Sequence, residues 1–167
     1  MLDRQNHVRY GEGKGTGRCR MAKTRVYLDN CCFNRPYDDP LTPLIRLEAE
    51  AKTYIQSQIR AGNIELAWSY IMDRENAANP YEDRKQAIAT WKSLAVVDID
   101  VSAEVVRRAV DIAERGFKNK DALHISCAIQ ARCRCFLTTD KGILKKRIEG
   151  VSLLNPMDYI KEMEAQG

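Results

Sequence analysis

The feature that most constrains the fold is an alternation along the chain. Short apolar runs alternate with segments whose apolar residues recur at helical spacing, and this alternation determines which kind of sheet can form. Strand-like runs occur five times after Met21, as RVYLD, IELAWS, AVVDI, CFLTTD and VSLLNP. Segments with apolar residues at spacings of three and four separate them. A parallel strand pair needs a crossover, and that crossover is nearly always helical. The sequence therefore predicts an α/β protein, a three-layer α/β/α fold around a five-stranded parallel sheet.

The predicted order of elements is β-α-β-α-α-β-α-α-β-α-β. Ser102 carries a hydroxyl of the kind that caps helix N-termini, and a helical period of apolar residues follows it. Asn119 is expected to cap the next helix, which runs through Ala131.

A chain of 167 residues with 44% apolar content has the size of one domain with a sizeable core. The first twenty residues are polar and rich in glycine, and they show no apolar period. We interpret residues 1–20 as a disordered or non-native extension and residues 21–167 as a single domain.

The composition also excludes several classes of protein. The sequence has no run of about 18 uncharged apolar residues and no secretory signal pattern, so a soluble cytoplasmic protein is expected. Six cysteines occur without a CxxC pair, and the chain has only two histidines. These features argue against a zinc site and favour reduced cysteines used as small buried side chains.

Four acidic residues lie where a parallel sheet binds ligands, beyond the carboxyl ends of its strands. Asp29 ends the first predicted strand, and Asp140 follows the fourth. Asp121 lies in the first turn of the helix that leads into the fourth strand. Glu75 lies about two turns along the helix after the second strand. We expect these carboxylates to converge at one edge of the sheet.

Such a cluster needs a counter-charge. Two carboxylates about 4 Å apart repel by roughly 4 kcal/mol at an effective dielectric constant near 20, so the group must take up protons or bind a cation. Oxygen ligands select Mg²⁺ or Mn²⁺ over zinc and copper. Simpler roles exist for two of the acids. Asp121 can complement a helix dipole, and Asp140 can cap a helix that begins at Lys141.

The segments YLDN, SYIMDRE, NKDALHISCA and LTTDKGILKK, taken together, resemble the PIN-domain proteins, particularly the toxin ribonucleases of the VapC type. The resemblance extends from Arg25 to about Met157. It implies a metal-dependent endoribonuclease whose acidic set is Asp29, Glu75, Asp121 and Asp140. A Mg²⁺ or Mn²⁺ ion would be held by Asp29, Asp121 and Asp140, and by resemblance the RNA product would carry a 5′-phosphate.

Other side chains are expected around the acids. Thr138 matches the hydroxyl residue that the family places next to its last acid. Asn30 departs from the small hydroxyl residue that often follows the first acid, and it is expected to touch the site. His124, on a strongly apolar helix, is expected to be a hydrogen-bonded core residue rather than a general base. The candidate RNA contacts are Arg35, Lys118, Lys120 and Lys141.

The resemblance implies hydrolysis of RNA by the toxin of a type II toxin-antitoxin pair. Its expected partners are RNA, a small antitoxin protein and a second copy of the chain in a homodimer, with no membrane. Three alternatives stay open. The chain can be an RNA-processing nuclease without an antitoxin, a PIN-like nucleic-acid-binding module with an idle metal site, or a phosphatase that uses the same ions.

Overall fold

In a computed structural model of the protein, the structure describes residues 23–34 and 41–166. These residues form one sheet whose strands are β1 (Arg25–Leu28), β2 (Glu65–Ser69), β3 (Ala95–Ile99), β4 (Cys135–Leu137) and β5 (Ser152–Leu154). All neighbouring strands are parallel, in the order β3-β2-β1-β4-β5. The predicted five-stranded parallel α/β fold is therefore confirmed. The predicted extension 1–20 and the candidate phosphate contact Arg35 lie outside the described residues.

The helices within the described ranges are α1 (Asn30–Asn34), α2 (Pro43–Arg60), α3 (Tyr70–Ala77), α4 (Glu82–Lys92), α5 (Ala103–Glu114), α6 (Asn119–Gln130), α7 (Lys141–Leu144) and α8 (Pro156–Ala165). Two helices follow β1, where the sequence predicts one. The terminal helix α8 was not predicted. Its start has a recognisable signal, because Asn155 accepts a hydrogen bond from the Met157 amide at 2.9 Å and Pro156 takes the first helical position. None of these helices is long and apolar enough to cross a membrane.

The two predicted helix caps have different outcomes. Ser102 caps α5, since its hydroxyl accepts a hydrogen bond from the Val105 amide at 3.2 Å. The predicted cap at Asn119 is wrong. Lys118 holds the capping position in an extended conformation, and its carbonyl accepts the first helical bond from the Ala122 amide at 2.9 Å. Asn119 is consequently the first residue inside α6, where its side chain makes no capping bond.

The core surrounds β1, the middle strand of the sheet. Val26, Tyr27 and Leu28 are at most 2% exposed, as expected for a parallel strand with helices on both faces. The five cysteines in the described ranges are free thiols, and all except Cys31 are buried. The four buried cysteines act as small apolar core groups.

The strand register determines where the polar side chains meet. Leu28 pairs with Leu137 of β4, so the next residues, Asp29 and Thr138, leave the sheet together. The Asp29 amide donates to the Leu137 carbonyl at 2.9 Å and ties the two strand ends to each other. Successive strands lie outward from β1 in both directions, which makes the β1/β4 junction the switch point where open parallel sheets bind ligands.

Candidate active site

Asp29 is the most deeply placed acid of the site. Its Oδ2 accepts a hydrogen bond from the Thr138 hydroxyl at 2.7 Å and a weaker one from the Cys31 thiol at 3.3 Å. Burial raises the pKa of the Asp29 carboxyl to about 8. The ionised form is therefore poorly compensated by the protein alone, and a nearby cation would stabilise it.

Glu75 reaches the same region from α3. Its Oε2 lies 2.9 Å from His124 Nε2, and its Oε1 lies 2.5 Å from Lys120 Nζ. Burial by itself would raise the pKa of Glu75, but the hydrogen bonds and charges of His124 and Lys120 outweigh burial and lower it. Glu75 therefore has two strong partners, one from the core and one from the surface.

Asp73, two residues earlier on α3, lies away from this region. Its carboxylate accepts a hydrogen bond from Trp68 Nε1 at 2.9 Å and pairs with Lys92 Nζ at 2.7 Å. Residues two apart on a helix point about 200° away from each other. Only Glu75 of the two acids faces Asp29.

Asp121 and Asp140 act on each other electrostatically. Burial raises the pKa of the Asp121 carboxyl, and the charge of Asp140 raises it further. Asp140 also caps α7, because its Oδ1 accepts hydrogen bonds from the amides of Gly142 at 2.6 Å and Ile143 at 3.4 Å. Both bonds use the same oxygen, so capping by Oδ1 is compatible with a second role for Oδ2.

Thr138 connects the acids that follow β1 and β4. Its hydroxyl oxygen donates to Asp29 and accepts a hydrogen bond from the Asp140 amide at 3.1 Å. Asn30 is the first residue of α1, and its Oδ1 is buried without a hydrogen-bond partner in the described part of the chain. A buried amide oxygen without a donor is unusual in folded proteins.

Lys120 is a cation that pairs directly with one of the acids, Glu75. Its hydrogen bond to Glu75 raises its pKa, and the charges of Asp121 and Asp29 raise it further. Three carboxylates therefore act on one ammonium group. The charge of Lys118 acts on Asp121, and both Lys118 and Lys141 are exposed.

A metal ion fits this arrangement. Ligand atoms of Asp29, Glu75 and His124 lie within 4.8 Å of one another. The two nitrogens of His124 are already engaged, Nδ1 with the Tyr27 hydroxyl at 2.8 Å and Nε2 with Glu75. The available donors are therefore carboxylate oxygens, which suit hard divalent cations.

The comparison with family models decides the family. The PIN domain model matches residues 26–149. The chain is a member of the PIN domain family. The four acids described above all lie within the matched PIN segment. No curated protein matches the chain.

Solved structures support the same fold. This PIN domain is similar to a chain in the crystal structure of VapBC2 from Rickettsia felis bound to a DNA fragment from their promoter. The TM-score is 0.51 at 20% sequence identity, and the match covers 79% of this chain and 98% of that chain. At this identity, the likeness bears on the fold.

The sequence reasoning did not identify the contacts inside this PIN domain that hold Glu75. Lys120 and His124 both bond to Glu75, although 45 and 49 residues separate them from it in the chain. The sequence contains one sign that these two residues act together. Lys120 and His124 are four residues apart, and residues at that spacing share a helix face. Tyr27 gave no such signal, since a tyrosine in a buried strand commonly has only a packing role.

Proposed function

We propose that this protein is a metal-dependent endoribonuclease that hydrolyses RNA phosphodiester bonds, and that it is the toxin of a type II toxin-antitoxin pair in the cytoplasm. The observation that carries the proposal is the closeness of Asp29, which follows β1 at the β1/β4 switch point, to Glu75 of α3, together with the burial that raises the pKa of Asp29. Membership of the PIN domain family supports the nuclease class.

In this proposal the cation is Mg²⁺ or Mn²⁺, and Asp29, Asp121 and Asp140 would hold it. Of these three acids, Asp29 belongs to the group of ligand atoms that lie within 4.8 Å of one another in the described residues. Such an ion polarises phosphate oxygens and makes bound water more acidic. The side chains around the acids hold them in position. Thr138 fixes the spacing of Asp29 and Asp140 through its two hydrogen bonds. Glu75, held between His124 and Lys120, presents an ionised carboxylate next to Asp29.

The proposed RNA contacts are basic residues around the acids. Lys118 and Lys141 are exposed at the starts of α6 and α7, where each can neutralise a backbone phosphate. Lys120 pairs with Glu75 and its side chain is 64% exposed, so the ammonium group is also accessible to a phosphate. Arg35 remains a predicted contact from the sequence.

Exposed apolar side chains on α2 support a protein partner. Leu44, Leu47 and Tyr54 are each more than 40% exposed. A groove of about 300 Å³ between α2 and α4 has buried Phe33, Ile88 and Trp91 in its lining together with the polar side chains of Thr53, Gln56, Arg60 and Thr90. An amphipathic helix fits such a surface with its apolar face. We propose that an antitoxin binds there; the homodimer remains a further proposal.

The decisive experiment uses purified protein and a panel of structured and single-stranded RNAs. We expect cleavage with Mg²⁺ or Mn²⁺, no cleavage with EDTA, and none by the Asp29→Asn variant. Asp158→Asn, a change of an exposed acid on α8, is the matched control and should cut at the parental rate.

Each other outcome identifies an alternative. RNA binding without metal-dependent cleavage would indicate a binding module, and hydrolysis of phosphomonoesters alone would indicate a phosphatase. Cleavage of RNA without a co-purifying partner from the neighbouring gene, and without toxicity on overexpression, would indicate an RNA-processing nuclease.

A further inference from the structure

A continuous line of buried hydrogen bonds leads from Glu75 into the core. Glu75 Oε2 lies 2.9 Å from His124 Nε2, and His124 Nδ1 lies 2.8 Å from the Tyr27 hydroxyl. The Tyr27 hydroxyl lies 2.6 Å from the Ser69 hydroxyl. His124 is 1% exposed, and both Tyr27 and Ser69 are fully buried.

Core packing alone does not account for these polar groups. The Tyr27 ring stacks on Phe136 at 5.5 Å with an interplanar angle of 12°, so a phenylalanine at position 27 would pack in the same way. Burying a hydroxyl and an imidazole is unfavourable unless each group finds partners. Here those partners lie in one line that ends at an acid of the site.

The donor and the acceptor of each hydrogen bond in this line follow from the chemistry of the groups. An ionised carboxylate only accepts hydrogen bonds, so His124 Nε2 must carry the proton that faces Glu75. In a neutral ring Nδ1 is then an acceptor, and the Tyr27 hydroxyl must donate to it. The Tyr27 oxygen is left to accept from Ser69.

We propose that His124 and Tyr27 are positioning residues that hold the Glu75 carboxylate in the site: His124 Nε2–H donates to Glu75, and the Tyr27 hydroxyl fixes the imidazole ring through Nδ1. This inference rests on the proposed nuclease function insofar as it assigns Glu75 a part in RNA cleavage. Without the donor at His124 Nε2, Glu75 keeps only Lys120, whose side chain is 64% exposed.

The first test observes the tautomer directly and needs no enzymatic activity. The chain has two histidines, so a full-length His7→Gln protein labelled with ¹⁵N-histidine gives the signals of His124 alone. We expect His124 Nε2 to carry a proton that is hydrogen-bonded to Glu75. Adding Tyr27→Phe removes the hydrogen bond at Nδ1, so the Nδ1 signal should move while Nε2 keeps its proton. An unprotonated Nε2 in the parent overturns the proposal, and so does an unchanged Nδ1 signal in the Tyr27→Phe protein.

The second test uses kinetics. We expect Tyr27→Phe and His124→Leu to lower kcat by about tenfold or more, the scale for losing a partner that orients a ligand, with KM within about twofold. His124→Gln keeps an N–H donor on a side chain of similar reach and should recover part of the loss. Tyr159→Phe, at another buried tyrosine, is the matched control and should leave kcat unchanged.

The two tests distinguish the inference from the proposed function. If the parent protein cuts no RNA while His124 is the Nε2–H tautomer and responds to Tyr27→Phe, the nuclease proposal fails and the hydrogen-bond line stands. If the parent cuts RNA and Tyr27→Phe retains full kcat, the positioning role fails and the nuclease proposal stands. Thermal melts show which variants are folded, and Tyr27→Phe decides the kinetic question if His124→Leu does not fold.

Discussion

The Thr138 hydroxyl donates a hydrogen bond of 2.7 Å to Asp29 Oδ2, across the end of the β1/β4 pair. The pairing of Leu28 with Leu137 brings these two residues together, although 109 positions separate them in the chain. The same threonine oxygen accepts the Asp140 amide at 3.1 Å. One hydroxyl thus sets the distance between two proposed ligands, each attached to a different strand of the rigid sheet.

Replacing this hydroxyl tests its importance. Thr138→Val keeps the shape of the side chain and removes both hydrogen bonds, so we expect RNA cleavage to fall by at least about tenfold. The free energy of unfolding should fall by about 1–3 kcal/mol, because Asp29 loses a buried donor. Thr53→Val, an exposed change on α2, is the control. Cleavage assays and chemical denaturation provide the measurements, and a Thr138→Val enzyme with parental activity would exclude the role.

Asp29→Asn should abolish cleavage and stabilise the metal-free protein above neutral pH. Burial raises the pKa of Asp29 from its ordinary value of 3.8 to about 8. The contribution of this carboxyl to stability is therefore fully present below about pH 4, and it is lost as the pH rises toward 8. Between about pH 4 and pH 8, the free energy of unfolding falls by at most about 1.4 kcal/mol per pH unit from this carboxyl.

Thermal melts of the parent and the Asp29→Asn protein across this pH range provide the measurement. In EDTA, the melting temperature of Asp29→Asn should exceed that of the parent by a margin that widens as the pH rises toward the pKa of about 8. Mg²⁺ should narrow the margin by stabilising the parent alone. A margin that is constant with pH, or a variant that still cleaves RNA, would contradict the expectation.

The fold was predictable because a short stretch of sequence specifies each strand and most of the helices. Each strand is a short apolar run, and Asp29, Asp121 and Asp140 each follow a strand or lie in the first turn of a helix. A parallel sheet brings strand ends together. The missed features depend on tertiary contacts. The His124–Glu75 hydrogen bond joins α6 to α3, and no local pattern in either helix specifies it. The start of α6 was misplaced by one residue, since Asn119 is a good capping residue in isolation but Lys118 takes the extended conformation there.

Glu75→Gln and Asp73→Asn should differ strongly in activity. Glu75 bonds to His124 and Lys120 beside Asp29, whereas Asp73 bonds to Trp68 and Lys92 on another side of α3. We expect Glu75→Gln to lower cleavage by at least about tenfold and Asp73→Asn to change it by less than about threefold, a difference of under 1 kcal/mol. Cleavage rates at saturating Mg²⁺ measure both, and the opposite ranking would contradict the assignment of Glu75.

A chain that starts at Met21 should keep the melting temperature of the full protein. Residues 1–20 have no apolar period and no strand signal, so they have little apolar surface to bury. Calorimetry of both chains at the same pH and salt concentration provides the measurement. A fall of more than about 4 °C, equivalent to roughly 1 kcal/mol for a domain of this size, would show that the extension packs on the domain.

Lys141→Gln should weaken RNA binding by a similar factor for every RNA tested and should make binding less sensitive to salt. Lys141 is exposed at the first position of α7, directly after Asp140, so an RNA backbone bound at the acids lies within its reach. A lysine that neutralises one phosphate of a single strand contributes about 0.7 to the slope of log K against log salt concentration. Fluorescence anisotropy of a labelled RNA with the inactive Asp29→Asn protein, from about 50 to 200 mM salt, measures this slope without cleavage.

Lys161→Gln on α8 has the same change in charge and is the control, because Lys161 pairs with Asp158 away from the acids. Equal slopes for the Lys141→Gln and Lys161→Gln proteins would show that Lys141 does not contact the RNA backbone.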